Sequence, residues 1–156
     1  MIIRDFRPSI TEIAPIIEAA VASGKKVKLN VTGSSMCPML LSSNDTVTLE
    51  KAGTIKKYDV LLFKRKTGKY VLHRVIKIKD GVLTIAGDNE TKKEYPVYPD
   101  EVVAKVCIYQ RKGVSHSTSG KRFWLYSRLW LLIFPFRRII TKILYNCPDL
   151  PEDDEN

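Results

Sequence analysis

No apolar run in this 156-residue chain approaches the roughly 18–20 residues that a membrane-spanning helix needs. The longest candidate, residues 129–136, is far too short. The start of the chain does not read as a secretory signal. Residues 1–9 carry charges and a proline, and Glu12, Pro15 and Glu18 interrupt the stretch that follows. An N-terminal anchor is therefore not expected, and any contact with a bilayer should lie on its surface. Cysteine is scarce: Cys37, Cys107 and Cys147 are odd in number, far apart and without a CxxC pair. They read as small fillers in a reducing compartment, not as a zinc site or a disulfide framework. No internal repeat is present. With 44% hydrophobic residues the chain can bury a real core, which excludes a disordered protein.

What the chain does have is positive charge and strand-like pattern. The formal charge of +9 suits an anionic membrane surface, nucleic acid or an acidic substrate. The length fits one domain with a short appendage. Residues 9–23 read as an amphipathic helix. Ser9 and Glu12 make a capping box, Ile10, Ile13, Ile17, Ala20 and Val21 recur at helical spacing, and Pro15 should kink the helix or delay its start. From Lys26 to Gln110 the period becomes two. Residues 26–32, 46–49, 59–63, 70–78, 82–86 and 102–109 read as strands, and turn signals at 66–69 and 79–81 predict a meander over 60–85. Residues 1–25 thus form an N-terminal helical part, 26–112 a β domain, 113–120 a polar linker, and 121–147 a basic aromatic amphipathic segment broken at Pro135. An acidic tail at 148–156 is expected to be disordered.

Chemistry concentrates in three blocks at strand edges: Gly33-Ser34-Ser35-Met36-Cys37-Pro38, Leu72-His73-Arg74-Val75 and Gly87-Asp88-Asn89. A serine hydroxyl attacks usefully only when a base takes its proton, and a serine, a histidine and an aspartate can divide that work. Two further blocks, Asp45-Thr46-Val47 and Asp59-Val60-Leu61-Leu62-Phe63, lie between them. All five, in this order and spacing over roughly residues 27–107, resemble the signal peptidase I family. The likeness is to its Ser–His branch, within the wider set of LexA-like and signal-peptidase-like serine peptidases.

The resemblance implies a mainly β fold, a small partly closed barrel or sandwich with flanking helices. It implies Ser35 as nucleophile, His73 as general base and Asp88 as the group that orients His73. A histidine with an ordinary pKa near 6.5 needs no desolvation to be neutral at pH 7, unlike the lysine found there in other branches. The Ser35 N–H is the natural oxyanion donor, with Ser34 and Met36 as neighbours at the oxyanion or substrate side. Gly33 offers no hydroxyl where some relatives carry one, and Asn44 stands where a glycine is usual.

Other residues read as structural. Asp45 and Asp59 are turn residues, Met36 packs beneath the nucleophile, Arg74 is a solvated or salt-bridged strand residue, and His116 is inert. Residues 121–145 combine Trp124, Tyr126, Trp130, Phe134 and Phe136 with cations and suit an anionic membrane surface better than packing or nucleic acid. The expected activity is a signal-peptidase-like serine endopeptidase removing a signal or leader peptide, without metal or cofactor. Its expected place is the cytoplasmic side of the inner membrane face. The alternatives are a self-cleaving LexA-like regulator, for which no helix-turn-helix is present, and a catalytically silent peptide-binding module.

Overall fold

The computed structural model describes residues 9–41 and 44–148. The residues at 1–8 and the acidic tail beyond Pro148 lie outside that range. Helix α1 (Ile10–Ala22) starts at Ser9, whose hydroxyl accepts the Glu12 N–H while Glu12 reaches back to the Ser9 N–H. Pro15 sits inside this helix on its exposed side and does not end it. Ala14, Ile17 and Val21 form the buried stripe at helical spacing.

Eight strands follow: β1 (Val27–Asn30), β2 (Thr46–Glu50), β3 (Val60–Lys64), β4 (Tyr70–Lys79), β5 (Val82–Ala86), β6 (Glu94–Val97), β7 (Val102–Arg111) and β8 (Val114–Ser117). They pair antiparallel in the order β1-β2-β7-β3-β4-β5-β6, with β8 added to β7. The sheet does not close on itself, which agrees with a mainly β fold flanked by helices. Strand β3 lies near its centre and is buried on both faces. Val60 and Leu62 join α1 and Leu49 in one core cluster, and Leu61 and Phe63 join Val75, Leu83 and Ile85 in another.

Half of the expected linker at 113–120 is strand. Lys112 and Gly113 both adopt positive φ, the geometry of a tight hairpin turn, and so return the chain as β8 along β7. Within it His116 stacks on Tyr109. Helix α2 (Lys121–Leu132), a short 3-10 turn at 134–136 and helix α3 (Arg137–Tyr145) complete the chain, with the break at Pro135. Among the described residues no helix is long and apolar enough to cross a membrane.

The reading of the cysteines needs correction. Cys37 and Cys147 form a disulfide, their Cα atoms 6.1 Å apart across 110 positions of sequence. Only the folded chain brings them together, which is why spacing alone did not reveal the pair. Cys107 remains a free, half-buried thiol.

Candidate functional site

The three motif blocks meet where the β1–β2 loop crosses the ends of β4 and β5. Gly33 takes φ +87°, a left-handed conformation that a side chain resists, and turns the chain toward Ser35. The Ser35 carbonyl is held by the Asn89 N–H at 2.8 Å. Gly87 permits this approach: a Cβ there would lie 2.7 Å from the Ser35 carbonyl oxygen, 3.0 Å from Glu90 Cδ and 3.1 Å from His73 Nε2. Those three distances place the Ser35 backbone, the imidazole and a carboxylate around one glycine. Among the described residues the Ser35 N–H has no acceptor within the chain and Ser35 Oγ no hydrogen bond.

His73 lies on β4 and is 1% exposed. Its Nδ1 is 2.8 Å from Glu94 Oε1, although the N–H axis is not aimed at that oxygen, and its Nε2 is 3.4 Å from Glu90 Oε1. Glu94 is in turn clasped by Arg65, Nε and Nη2 each 2.8 Å from one carboxylate oxygen. Burial pulls the imidazole toward neutrality, but the close carboxylates of Glu90 and Glu94 outweigh it and hold His73 up to about 9. Burial raises both carboxylates, and the imidazolium outweighs this as well. Glu90 ends below its ordinary value, and Glu94, with Arg65 adding to the effect, falls to about 2.

Asp88 does not meet His73. Arg74 takes both its oxygens, Nε to Oδ1 at 2.8 Å and Nη2 to Oδ2 at 2.9 Å, and the Tyr126 hydroxyl donates to Oδ2 at 2.8 Å. The reason lies in the pleat: consecutive residues of a strand point to opposite faces, so His73 and Arg74 look opposite ways, and Asp88 belongs to the Arg74 side. Arg74 is fully buried there. It also donates to the Tyr58 carbonyl and the Ser127 hydroxyl and lies over the Phe123 and Tyr126 rings. Asp88 and Arg74 therefore bind α2 to the sheet, and the acids beside the imidazole are Glu94 at Nδ1 and Glu90 at Nε2. The motif blocks did not reveal Glu94; the one signal was an acidic residue opening a strand just after the Gly-Asp-Asn block.

Two hollows flank Ser35. A polar cleft of about 340 Å³ is lined by Ser34, Ser35, Arg65, His73, Glu90 and Arg138 among others. An apolar groove of about 460 Å³ is lined by Ile10 and Ile13 of α1, Leu29 and Val31, Ser35 and Met36, and Val71 and Leu72. Gly33, Ser35 and Val71 belong to both. A larger hollow of about 660 Å³ near Glu18, Lys66 and Asp100 holds none of the motif residues. Met36 is buried and Ser34 lines the cleft. Asp45 is a buried turn acid that accepts the Leu41 and Lys112 N–H groups, and Asp59 accepts the Lys56 N–H.

His73, Glu90 and Glu94 bring possible metal-ligand atoms within 4.8 Å of one another. The two carboxylates approach opposite ring nitrogens, however, and both Glu94 oxygens already serve Arg65. One ion would reach a single nitrogen and Glu90, which is short of the three protein ligands usual at a catalytic zinc. The arrangement is a cluster of close charged groups, with Arg65 on Glu94 and both carboxylates beside His73. No protein-family profile, curated protein or solved structure matches the chain.

Proposed function

We propose that this chain is a serine endopeptidase of signal-peptidase type, with Ser35 as nucleophile, His73 as general base and Glu94 in the orienting role. The observation that carries the reading is the position of Ser35, shared between an apolar groove and the cleft that holds His73. The groove suits an extended peptide. Among the described residues β1 pairs only with β2, and the Tyr70–His73 part of β4 only with β3, so both flanking strands keep an edge with no partner there. The five motif blocks resembling signal peptidases give independent support.

In this mechanism a substrate carbonyl lies over Ser35. The Ser35 hydroxyl attacks the carbonyl carbon as its proton passes to neutral His73, and the Ser35 N–H donates to the oxyanion. His73 returns the proton to the leaving amine, and water repeats the sequence to release the acid and restore Ser35. Before the first step Nε2 must turn from Glu90 and lose its proton. Catalytic hydrogen bonds often tighten only when substrate binds. The Cys37–Cys147 bond favours work on the oxidising side of a membrane over the cytoplasmic side expected from the cysteine count.

The contact between Nε2 and Glu90 also favours a second reading, a peptide-binding module whose base is kept protonated. One experiment separates them. Purified protein is incubated at alkaline pH with a library of hydrophobic leader peptides, and products are identified by mass spectrometry. Cleavage that falls by about 10³-fold or more in Ser35→Ala, with unchanged thermal unfolding, supports the peptidase. Binding without cleavage by the native chain would identify the module, and shortening of the native chain itself would identify self-cleavage.

A further inference from the structure

Helix α3 is inside out. Its buried positions are Arg137 and Thr141, while Ile139, Ile143 and Leu144 are 61%, 74% and 70% exposed. A helix that packs only against its own protein shows the reverse arrangement. The inversion has a local cause, because Arg137 donates to the Glu90 carbonyl and lies over the Phe134 ring, fixing α3 beside the cleft by its polar face. Helix α2 adds a second stripe. Leu125, Leu129 and Leu132 recur at helical spacing and are each more than half exposed, with Trp124 and Phe136 at its margins.

We infer that these two stripes form a docking face for an anionic lipid bilayer. Charge selects that occupant. From Lys121 to Pro148 the chain carries six cations and no acidic residue, and all but the buried Arg137 lie at or near the surface. Cations beside an apolar face are the composition of a helix that lies in a membrane interface. Arg128 rests over the Trp124 ring at 3.9 Å, which puts a cation and an interfacial aromatic together at the rim. A second copy of the chain would instead press like charges together across the same face. Docking through this face sets the polar cleft at headgroup level, because Arg138 of α3 also lines that cleft. The inference does not depend on the cleft being catalytic.

The test is sedimentation of the full chain with phosphatidylcholine vesicles, pure or containing about 30 mol% phosphatidylglycerol, in about 0.1 M and about 0.5 M salt. Binding is expected only with phosphatidylglycerol, to be weakened by salt, and to shift the Trp124 emission to the blue. Ile143→Ser with Leu144→Ser should reduce binding at least tenfold while circular dichroism and thermal unfolding stay unchanged. Lys121→Glu with Arg122→Glu, away from the apolar stripe, should reduce binding and its salt dependence. The proposal is overturned if the native chain ignores anionic vesicles at low salt or if the serine variant binds equally well. It is also overturned if the native chain forms a dimer that the serine variant cannot form.

Discussion

His73 should titrate far above an ordinary histidine, and in the proposed mechanism that single property sets the pH range of cleavage. The rise from 6.5 to about 9 corresponds to about 3 kcal/mol favouring the protonated ring in the folded chain. At pH 7 only about one molecule in a hundred then carries the neutral imidazole that can accept the Ser35 proton. Cleavage should therefore rise about tenfold per pH unit from neutrality and level off above about pH 9. Glu90→Gln removes the negative charge beside Nε2 and leaves its backbone contact with Arg137 intact, so the rising limb should move down by about 1–3 pH units. The chain contains only two histidines, His73 and His116, so histidine-labelled NMR follows both without a substrate. The two signals are told apart by His116→Gln. A His73 signal that titrates at or below 6.5, or that does not move in Glu90→Gln, would refute the reasoning. Stability follows the same sign. The His73 contribution is complete below pH 6.5 and is lost as pH rises through about 9, whereas that of Glu94 is present above pH 4.5 and is lost as pH falls through about 2.

Asp88→Ala should cost about 3–5 kcal/mol in urea unfolding, because it leaves the Arg74 guanidinium buried and unpaired. The His73 titration of any folded Asp88→Ala protein should stay near its native position, a result that an orienting role for Asp88 would not give. Replacing Cys37 and Cys147 by serine opens a loop of 110 positions and should cost up to ~4.8 kcal/mol on chain-entropy grounds, read as a lower unfolding midpoint. Gly87→Ala should lower cleavage more than stability, because its methyl meets the Ser35 carbonyl oxygen at 2.7 Å and the His73 ring at 3.1 Å. Unchanged turnover in Gly87→Ala would detach that glycine from the site.

Local pattern made much of this fold legible. The Ser9–Glu12 box marks the start of α1, and period-two alternation with the Asp80-Gly81 turn marks the β3–β5 meander. Strand β6 escaped because Glu94-Tyr95-Pro96-Val97 carries a charge and a proline in four residues, and its partner is found only through pairing with β5. Strand β8 escaped because Ser115, His116 and Ser117 are polar and lie on an edge, where composition resembles that of a linker. The positions of Ser35 and His73 followed from their motif blocks. Glu94, Arg65 and the Cys37–Cys147 pair did not, because each depends on a contact between distant parts of the chain.

The division between His73 and Arg74 explains why Asp88, expected beside His73, is found with Arg74. Both residues of the pair are buried and cationic in character, both need a carboxylate, and they stand one position apart on β4. Alternation sends them to opposite faces, so one acid cannot serve both. The permanently charged Arg74 takes Asp88, since an unpaired guanidinium in that fully buried position would cost several kcal/mol, on the order of 3–5. The imidazole can be neutral and needs its carboxylate less, so it is left with Glu90 and Glu94, where it lines the cleft. The same division ties the C-terminal helices to the site. Tyr126 and Trp130 of α2 bond to Asp88, Arg137 of α3 bonds to the Glu90 carbonyl, and Cys147 anchors the end of α3 two residues after Ser35. The exposed face of α3 is thus linked by a short chain of contacts to the residues around His73. Vesicle binding should alter the His73 titration in the native chain and leave it unchanged in Ile143→Ser with Leu144→Ser, a comparison that the same NMR experiment makes.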